Sequence, residues 1–369
     1  MKTSRPEDLV HQHIETATRR SRRELLTAGL GVGVLASLPL GIREAFAKGA
    51  AAVGTADLAA RPPSGFTPFS APGVIAKVKK ANSLMPNGYY PKEDDARGML
   101  TRVMKELTGK SELHEAVALF VHPEDKVCVK VNGIALKNFA NNKELVIPFL
   151  EAMIKAGVNP ENITLLEQYK GFFDGTRLNE KNIPNGVKIS IHGNANTDMD
   201  FRMIPGTGVK TKFCRYVTEA TAIINFSLIK DHSICGYTGQ MKNLTHGTMI
   251  NPSAYHSHHA SPQIALLYAQ DVIRSRVRLH IADGFKIMAD GGPVKVIPDY
   301  VMPHESVYAT TDAVAMDALG WSLVEEQRKK LGLKSLTEAG RIPAYIRAAA
   351  DLGIGIDDLK QIRLNEATI

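Results

Sequence analysis

Residues 221–247, TAIINFSLIKDHSICGYTGQMKNLTHG, carry the clearest indication of the fold class. The first part of this stretch, 221–229, is almost wholly apolar, which predicts a strand buried inside a sheet. A glycine-rich turn and a short helical stretch near 239–247 follow this strand. Strand, turn and helix in this order are typical of one unit of an α/β sheet.

The same alternation of strands and helices continues on both sides of this stretch. Further strands are predicted at 74–80, 127–133, 163–168, 187–193, 278–284, 306–312 and 361–364. Helices are predicted at 95–109, 141–157, 261–275, 312–332 and 344–353. The pattern predicts an α/β fold, a mainly parallel sheet with helices on both faces, with two lobes as an alternative arrangement.

The composition excludes several classes of protein. Hydrophobic residues make up 44% and charged residues 22% of the 369 residues, which excludes a disordered, collagen-like or multi-spanning membrane protein. Three cysteines without a C-x-x-C pair exclude a disulfide framework, a zinc ribbon and a self-contained iron–sulfur cluster. The net charge of +7 can attract anions. We expect no nucleic-acid partner, because the basic residues form no stripe and there is one Trp.

Residues 1–47 have the pattern of an export signal. A basic cluster at 19–23 precedes a weakly apolar run at 25–42, and a small-x-small cleavage site follows at 45–47. The run SRRELL, with Arg22 and Arg23, resembles the twin-arginine signal. That resemblance implies export of the folded protein by the twin-arginine machinery, to the periplasm or beyond.

An uncleaved N-terminal anchor is the alternative for this segment, because an apolar run of about 18 residues is just long enough to span a membrane. Three glycines and a proline weaken a permanent helix there, so we expect cleavage and no permanent membrane span. Residues 48–72 are rich in Ala, Pro, Gly and Ser and predict a flexible linker. The α/β domain is then expected at 73–369.

Polar residues that follow strands are the candidates for a functional site, because ligands of α/β sheets bind beyond the carboxyl ends of the strands. Lys230 and Lys242, free N–H groups at a helix start near 239–247 and close-approach glycines suit a carboxylate or phosphate. A solvated loop with two ordinary lysines is the alternative. The predicted substrate-binding residues are Lys130, Asn132, Thr238, Lys242 and Asn243. The predicted catalytic residues are His232 as general acid or base, Lys230 and Asp283.

A divalent metal is a second expectation. The tract Tyr255-His256-Ser257-His258-His259 offers imidazole ligands, which His246 or Asp283 would complete. Asp283 with Asp312 would instead form an oxygen-ligand site for a harder cation. The predicted ligand set is Asp312, His256 and His258.

Several of the polar residues near strand ends have an alternative interpretation. The histidine tract is also typical of an exposed polar loop, and Asp312 is a preferred N-cap for the helix it begins. Asp283-Gly284 fits a turn. Glu167 is either a base or a surface charge, and Cys235 has no basic partner that would favour a nucleophile.

These motifs together resemble the family filed as domain of unknown function 362. The matching residues are Lys130 and Asn132; Lys230, His232, Gly236, Thr238, Gly239, Lys242 and Asn243; Asp283 and Gly284, with Gly291, Gly292 and Pro293; Asp312, Val314, Ala315 and Asp317; and Leu352, Gly353 and Gly355. The resemblance covers about residues 115–369. It implies no established reaction. Some members carry an appended iron–sulfur domain, whose cysteine spacing this chain lacks.

Two functions follow as expectations. In the first, the protein is an exported enzyme that acts on a small anionic substrate by acid–base or metal-assisted chemistry. In the second, the same pocket serves a periplasmic ligand-binding or assembly protein without turnover. The set of Lys, His, Asp and Asn residues after strand ends favours the enzyme.

Overall fold

A computed structural model of the protein describes residues 58–369. The predicted export signal and residues 48–57 of the predicted linker lie outside this part of the chain. Nine strands form the main sheet: β1 (Val74–Lys79), β2 (Val127–Lys130), β3 (Ile163–Glu167), β4 (Lys188–Ile191), β7 (Ala222–His232), β8 (Gly236–Thr238), β9 (Val277–Met288), β10 (Val301–Thr310) and β11 (Arg363–Thr368). Two short strands, β5 (Arg202–Ile204) and β6 (Val209–Thr211), form a separate antiparallel hairpin.

The strand order in the main sheet is β11-β1-β10-β9-β7-β2-β3-β4, and β8 pairs with β7. The five strands β9, β7, β2, β3 and β4 run parallel to one another. β10 is antiparallel to both β9 and β1, β8 is antiparallel to β7, and β11 is parallel to β1. The prediction of a mainly parallel α/β sheet is confirmed.

Ten α-helices connect these strands: α1 (Glu93–Thr108), α2 (Leu113–Val117), α3 (Lys143–Lys155), α4 (Lys170–Gly175), α5 (Arg215–Thr218), α6 (Gln240–Thr245), α7 (Gln263–Tyr268), α8 (Asp271–Arg274), α9 (Ala313–Lys330) and α10 (Tyr345–Asp351), counted within residues 58–369. Short 3₁₀ turns occupy Leu136–Asn138, Pro160–Asn162, Pro252–Tyr255, Ser257–Ala260 and Pro298–Tyr300. In residues 58–369, no helix has the length and apolar character that a membrane span needs.

Helices cover both faces of the sheet. Alternate residues of each strand point to opposite faces and therefore pack against different helices. In β1, Ile75 belongs to one core, together with α6, α7, α9 and α10. Its neighbours Ala76 and Val78 belong to the other core, with α1 and α3. Both predicted layers of helices are present, and one sheet supports both cores.

Several predicted elements have different boundaries, and two of them differ most in consequence. The predicted helix at 261–275 is divided into α7 and α8, because Gln270 has an extended backbone between them. The predicted strand at 278–284 is longer, since β9 continues to Met288. A register shift between Leu228 and Ile229 of β7 marks the irregularity that lets β9 continue past Asp283.

The described part of the predicted linker contacts the domain. The guanidinium of Arg276 donates to the carbonyl of Leu58 at 2.6 Å, and the backbone N–H of Phe69 donates to the carbonyl of Leu119 at 2.8 Å. Residues 59–72 form no strand or helix. This segment therefore follows the surface of the domain.

Candidate functional site

A cavity of ≈ 110 Å³ lies at the carboxyl ends of β2, β3 and β7, beside α6. This is the position at which open α/β sheets bind ligands. The lining residues are Lys130, Asn132, Ile134, Glu167, Gln168, Tyr169, Phe172, His232, Ile234, Thr238, Lys242, Asn243, His246, Gly247, Pro252, Ser253, His256 and Pro293.

A buried ion pair forms one wall of this cavity. The ammonium of Lys130 donates to Oε2 of Glu167 at 3.0 Å, and the side chains are 1% and 4% exposed. Lys130 also donates to the carbonyl of Val131, and the other Glu167 oxygen accepts from the backbone N–H of Gln168 at 2.8 Å. Glu167 is therefore neither a surface charge nor a free base, since it neutralises Lys130.

Two amide side chains link Lys130 to a second lysine. Asn243 Oδ1 lies 3.5 Å from the ammonium of Lys130 and accepts from Asn132 Nδ2 at 3.1 Å. Asn132 Oδ1 in turn accepts from Lys230 at 3.2 Å, and the carbonyl of Pro293 also accepts from Lys230 at 3.4 Å. Burial, and then the nearby charge of Lys242, lower the pKa of Lys230 to about 7.

Lys242 and three histidines form the opposite wall. The amine of Lys242 lies 3.2 Å from Nε2 of His256. The His256 ring stacks on His232 with a centroid distance of 5.5 Å, and the His246 ring contacts it edge-on at 4.8 Å. Burial lowers the pKa of Lys242 and holds the pKa of His232 and of His246 well below the usual value. His232 and His246 are therefore neutral imidazoles at pH 7.

The hydrogen bonds of His232 fix its tautomer. The backbone N–H groups of Ile234 and Cys235 donate to His232 Nδ1 at 3.1 and 3.4 Å. In a neutral ring whose Nδ1 is an acceptor, the proton resides on Nε2. His232 therefore offers a hydrogen-bond donor, and of the predicted role of general acid or base this geometry suits the acid.

Thr238 adds a further donor. It lies on β8 beside Lys230 and lines the cavity. Its Oγ1 is buried and has no hydrogen-bond partner within residues 58–369. A buried hydroxyl without a partner is costly unless a ligand or water binds it.

Asp283, predicted as catalytic, lies elsewhere. Its carboxylate accepts from the backbone N–H of Asn142 at 2.7 Å and from the Asn142 side chain at 3.0 and 3.1 Å. Burial raises the pKa of Asp283 to about 6. Asp283 faces the start of α3 and does not line the cavity, so its role is to hold α3 against β9.

The predicted metal set does not assemble. Asp312 accepts from the backbone N–H groups of Ala315, Gly73 and Ile356 at 2.9, 3.0 and 3.2 Å, so it is the N-cap of α9. His258 is exposed, and of this set only His256 lines the cavity. Among residues 58–369, no three His, Cys, Asp or Glu side chains are arranged to hold a metal. This corrects the predicted set Asp312, His256 and His258.

The start of α6 is not free for an anion. Asp317 on α9 accepts from the backbone N–H groups of Gln240 and Met241 at 2.5 and 3.1 Å. Gly239 and Gly247 likewise leave room for other side chains of the protein and not for a ligand. A Cβ on Gly239 would lie 2.1 Å from Asp317, and one on Gly247 would lie 2.6 Å from Lys130. The predicted helix-terminus anion site is therefore wrong.

The three cysteines are buried in the described part of the chain. Burial raises the pKa of the Cys235 thiol to about 11, which opposes a nucleophilic role. Sequence reasoning missed the apolar lining, above all Tyr169 and Phe172. Both follow the predicted strand at 163–168 closely, so the strand-end rule could have found their position, although apolar side chains carry no chemical signal.

Comparison with known proteins gives one family match. The family model described as Domain of unknown function (DUF362) matches residues 177–322, which supports the resemblance from just after α4 into α9. The lactate racemase apoprotein from Thermoanaerobacterium thermosaccharolyticum is a solved structure with a TM-score of 0.37 and 11% identity. The alignment covers 73% of this chain and 62% of that chain, so this chain spans less than two thirds of that protein. No curated protein matches significantly.

Proposed function

We propose that the cavity binds a small anionic substrate and that the protein is an enzyme that acts on it by proton transfer. The observation that carries the proposal is the environment of Lys242. Its amine contacts a histidine, and no carboxylate within residues 58–369 lies within ion-pair distance of it. Glu167, the carboxylate of the lining, already pairs with Lys130. A buried ammonium is costly without an anion, which a substrate would supply.

Lys242 and His256 are the proposed proton-transfer pair. The two nitrogens are 3.2 Å apart, within the range of a hydrogen bond, so one proton can be held between them. Burial brings the pKa of Lys242 down toward the range in which acid–base catalysis is efficient. His232 would donate its Nε2–H to an oxygen that gains negative charge.

A proton-exchange assay tests this proposal. The protein is incubated in D₂O with small carboxylates and phosphate esters, and deuterium incorporation is followed by NMR. We expect exchange with the wild type and with Lys110→Met, an exposed lysine. We expect none with Lys242→Met, because the proton-transfer pair is lost.

Binding of an anion without exchange or conversion would favour the alternative of a ligand-binding or assembly protein. Equal activity of Lys242→Met and wild type would exclude Lys242 from the site. A metal analysis of the same sample, by elemental mass spectrometry, tests the metal-assisted form of the reaction independently.

We also propose export to the periplasm through the twin-arginine route. The proposal rests on the sequence at 19–47, which lies outside the described residues. Cell fractionation tests it with Arg22→Lys plus Arg23→Lys, which should leave the precursor in the cytoplasm. The matched control is Arg19→Lys plus Arg20→Lys, which should still be exported. Export of both variants would exclude the twin-arginine route.

A further inference from the structure

We propose that the ligand is a small monocarboxylate with a short apolar tail, in preference to a phosphate ester or a dicarboxylate. This inference rests on the proposed anion site and adds the chemical class of its ligand. Three features of the cavity support it: the charges, the hydrogen-bond donors and the apolar surface.

The first argument is the charge. The ammonium of Lys130 is neutralised by Glu167 at 3.0 Å. Lys230 is fully buried and does not line the cavity; it is bound by the oxygens of Asn132 and Pro293. Lys242 therefore remains as the lining lysine without a carboxylate in the described chain. One ammonium matches one carboxylate, and a second negative charge would be buried without a partner.

The second argument is the set of hydrogen-bond donors. Phosphate groups are usually held by the forks of arginines or by nests of backbone N–H groups. The described lining contains no arginine, and the first N–H groups of α6 are bound by Asp317. The free polar atoms of the described lining include the hydroxyl of Thr238, Nε2 of His246 and the Nε2–H of His232. With Lys242, these suffice for the two oxygens of a carboxylate.

The third argument is the apolar surface. Ile134, Phe172, Ile234, Pro252 and Pro293 contribute apolar surface to the cavity. These side chains cannot hydrogen-bond a polyol or a second acid group, so the rest of the ligand is apolar. The volume of ≈ 110 Å³ is below the roughly 150 Å³ of an engineered cavity that binds benzene, so the tail has only a few carbons.

Isothermal titration calorimetry with a defined panel tests the inference. The probes are acetate, propionate, butyrate and benzoate, compared with inorganic phosphate, methyl phosphate and succinate. We expect Kd to fall about four-fold for each added methylene until the tail fills the cavity. We expect phosphate, methyl phosphate and succinate to bind at least about ten-fold more weakly than butyrate.

Two variants separate the donor from the apolar wall. Thr238→Val removes a hydroxyl that has no partner in the described chain, so it should weaken butyrate about ten-fold and leave the melting temperature unchanged. Ile134→Ser should flatten the chain-length series. Ile147→Ser, at a half-buried position on α3 outside the cavity, is its matched control and should keep the series.

The outcomes distinguish this inference from the proposed function. Tighter binding of phosphate or succinate than of butyrate, lost in Lys242→Met, would overturn the monocarboxylate and leave the anion site intact. A chain-length series that Ile134→Ser does not change would overturn the apolar tail. Failure of every anion to bind would overturn both proposals.

Discussion

The amine of Lys242 lies 3.2 Å from Nε2 of His256, and both groups line the cavity at the end of the parallel strands. In its neutral form, the His256 imidazole has one ring nitrogen that accepts a hydrogen bond, so it can accept from the buried amine of Lys242. The pair therefore holds a proton in place without a carboxylate to neutralise it. In the proposed function, an anion would meet this proton and the Nε2–H of His232 together.

Replacement of Lys242 by Met should strongly weaken anion binding without loss of the fold. Truncation of one member of a buried charge pair typically costs 2–5 kcal/mol of binding free energy, so Kd for butyrate should rise by about 30-fold or more. The melting temperature should stay the same or rise, because a buried ammonium is removed. Calorimetry and thermal unfolding measure both. A large fall in the melting temperature would contradict this prediction and assign Lys242 a structural role.

The free energy of unfolding should increase as the pH rises above neutrality, because Lys230 is buried and loses its proton in that range. The pKa of Lys230 is about 7 in the folded protein against an ordinary value of 10.5. Between these values the unfolded chain binds more protons than the folded chain, so the free energy of unfolding rises with pH. The burial of charged Lys230 therefore destabilises the folded protein fully below pH 7, and this destabilisation disappears above pH 10.5.

Urea unfolding of wild type and Lys230→Met from pH 6 to pH 10 tests this dependence. The wild type should gain, relative to the variant, on the order of a few kcal/mol as the pH rises through this window. The experiment is done without anionic ligand, which would stabilise the charged lysine. A constant difference between the two proteins would show that Lys230 keeps its proton throughout.

Gly247 should be essential to the geometry of the cavity. A Cβ at this position would lie 2.6 Å from Cε of Lys130 and 2.4 Å from the carbonyl of Asn243. Gly247→Ala should therefore displace Lys130, cost about 1–3 kcal/mol of stability and weaken anion binding. The matched control is Gly98→Ala at an exposed position of α1, where nothing lies within 4 Å, which should stabilise by about 0.5–1 kcal/mol. Unchanged anion affinity in Gly247→Ala would contradict the assigned position of Lys130.

The local sequence pattern was sufficient to predict the strands of the parallel sheet and some of the residues that line the cavity. The apolar runs at 127–133, 163–168 and 221–229 became β2, β3 and β7, because buried parallel strands require continuous apolar sequence. The rule that ligands bind at strand ends then selected Lys130 and Lys242, which the structure brings to the same cavity.

Long-range contacts explain what local pattern could not predict. Asp283 was expected at a strand end, but β9 continues past it, and its carboxylate binds Asn142, which is 141 residues away in the chain. Asp317 similarly binds the start of α6, which precedes it by 77 residues. An aspartate that binds a ligand and one that binds a distant backbone N–H look the same in sequence.

Asp317 should position the site through α6. Its carboxylate accepts from the N–H groups of Gln240 and Met241, and α6 carries Lys242 and Asn243. In Asp317→Asn one oxygen becomes an amide nitrogen, which leaves a buried N–H without an acceptor at a cost of about 1–3 kcal/mol. We expect lower stability and, because α6 shifts, weaker binding of butyrate.

Asp312→Asn is the matched control for this effect. Asp312 also accepts from backbone N–H groups, but at the start of α9, and it does not line the cavity. This variant should lose a similar amount of stability and keep the butyrate affinity of the wild type. Urea unfolding and calorimetry on the two variants separate a general loss of stability from a displaced α6. Equal loss of affinity in both would show that affinity follows stability, and would contradict a positioning role for Asp317.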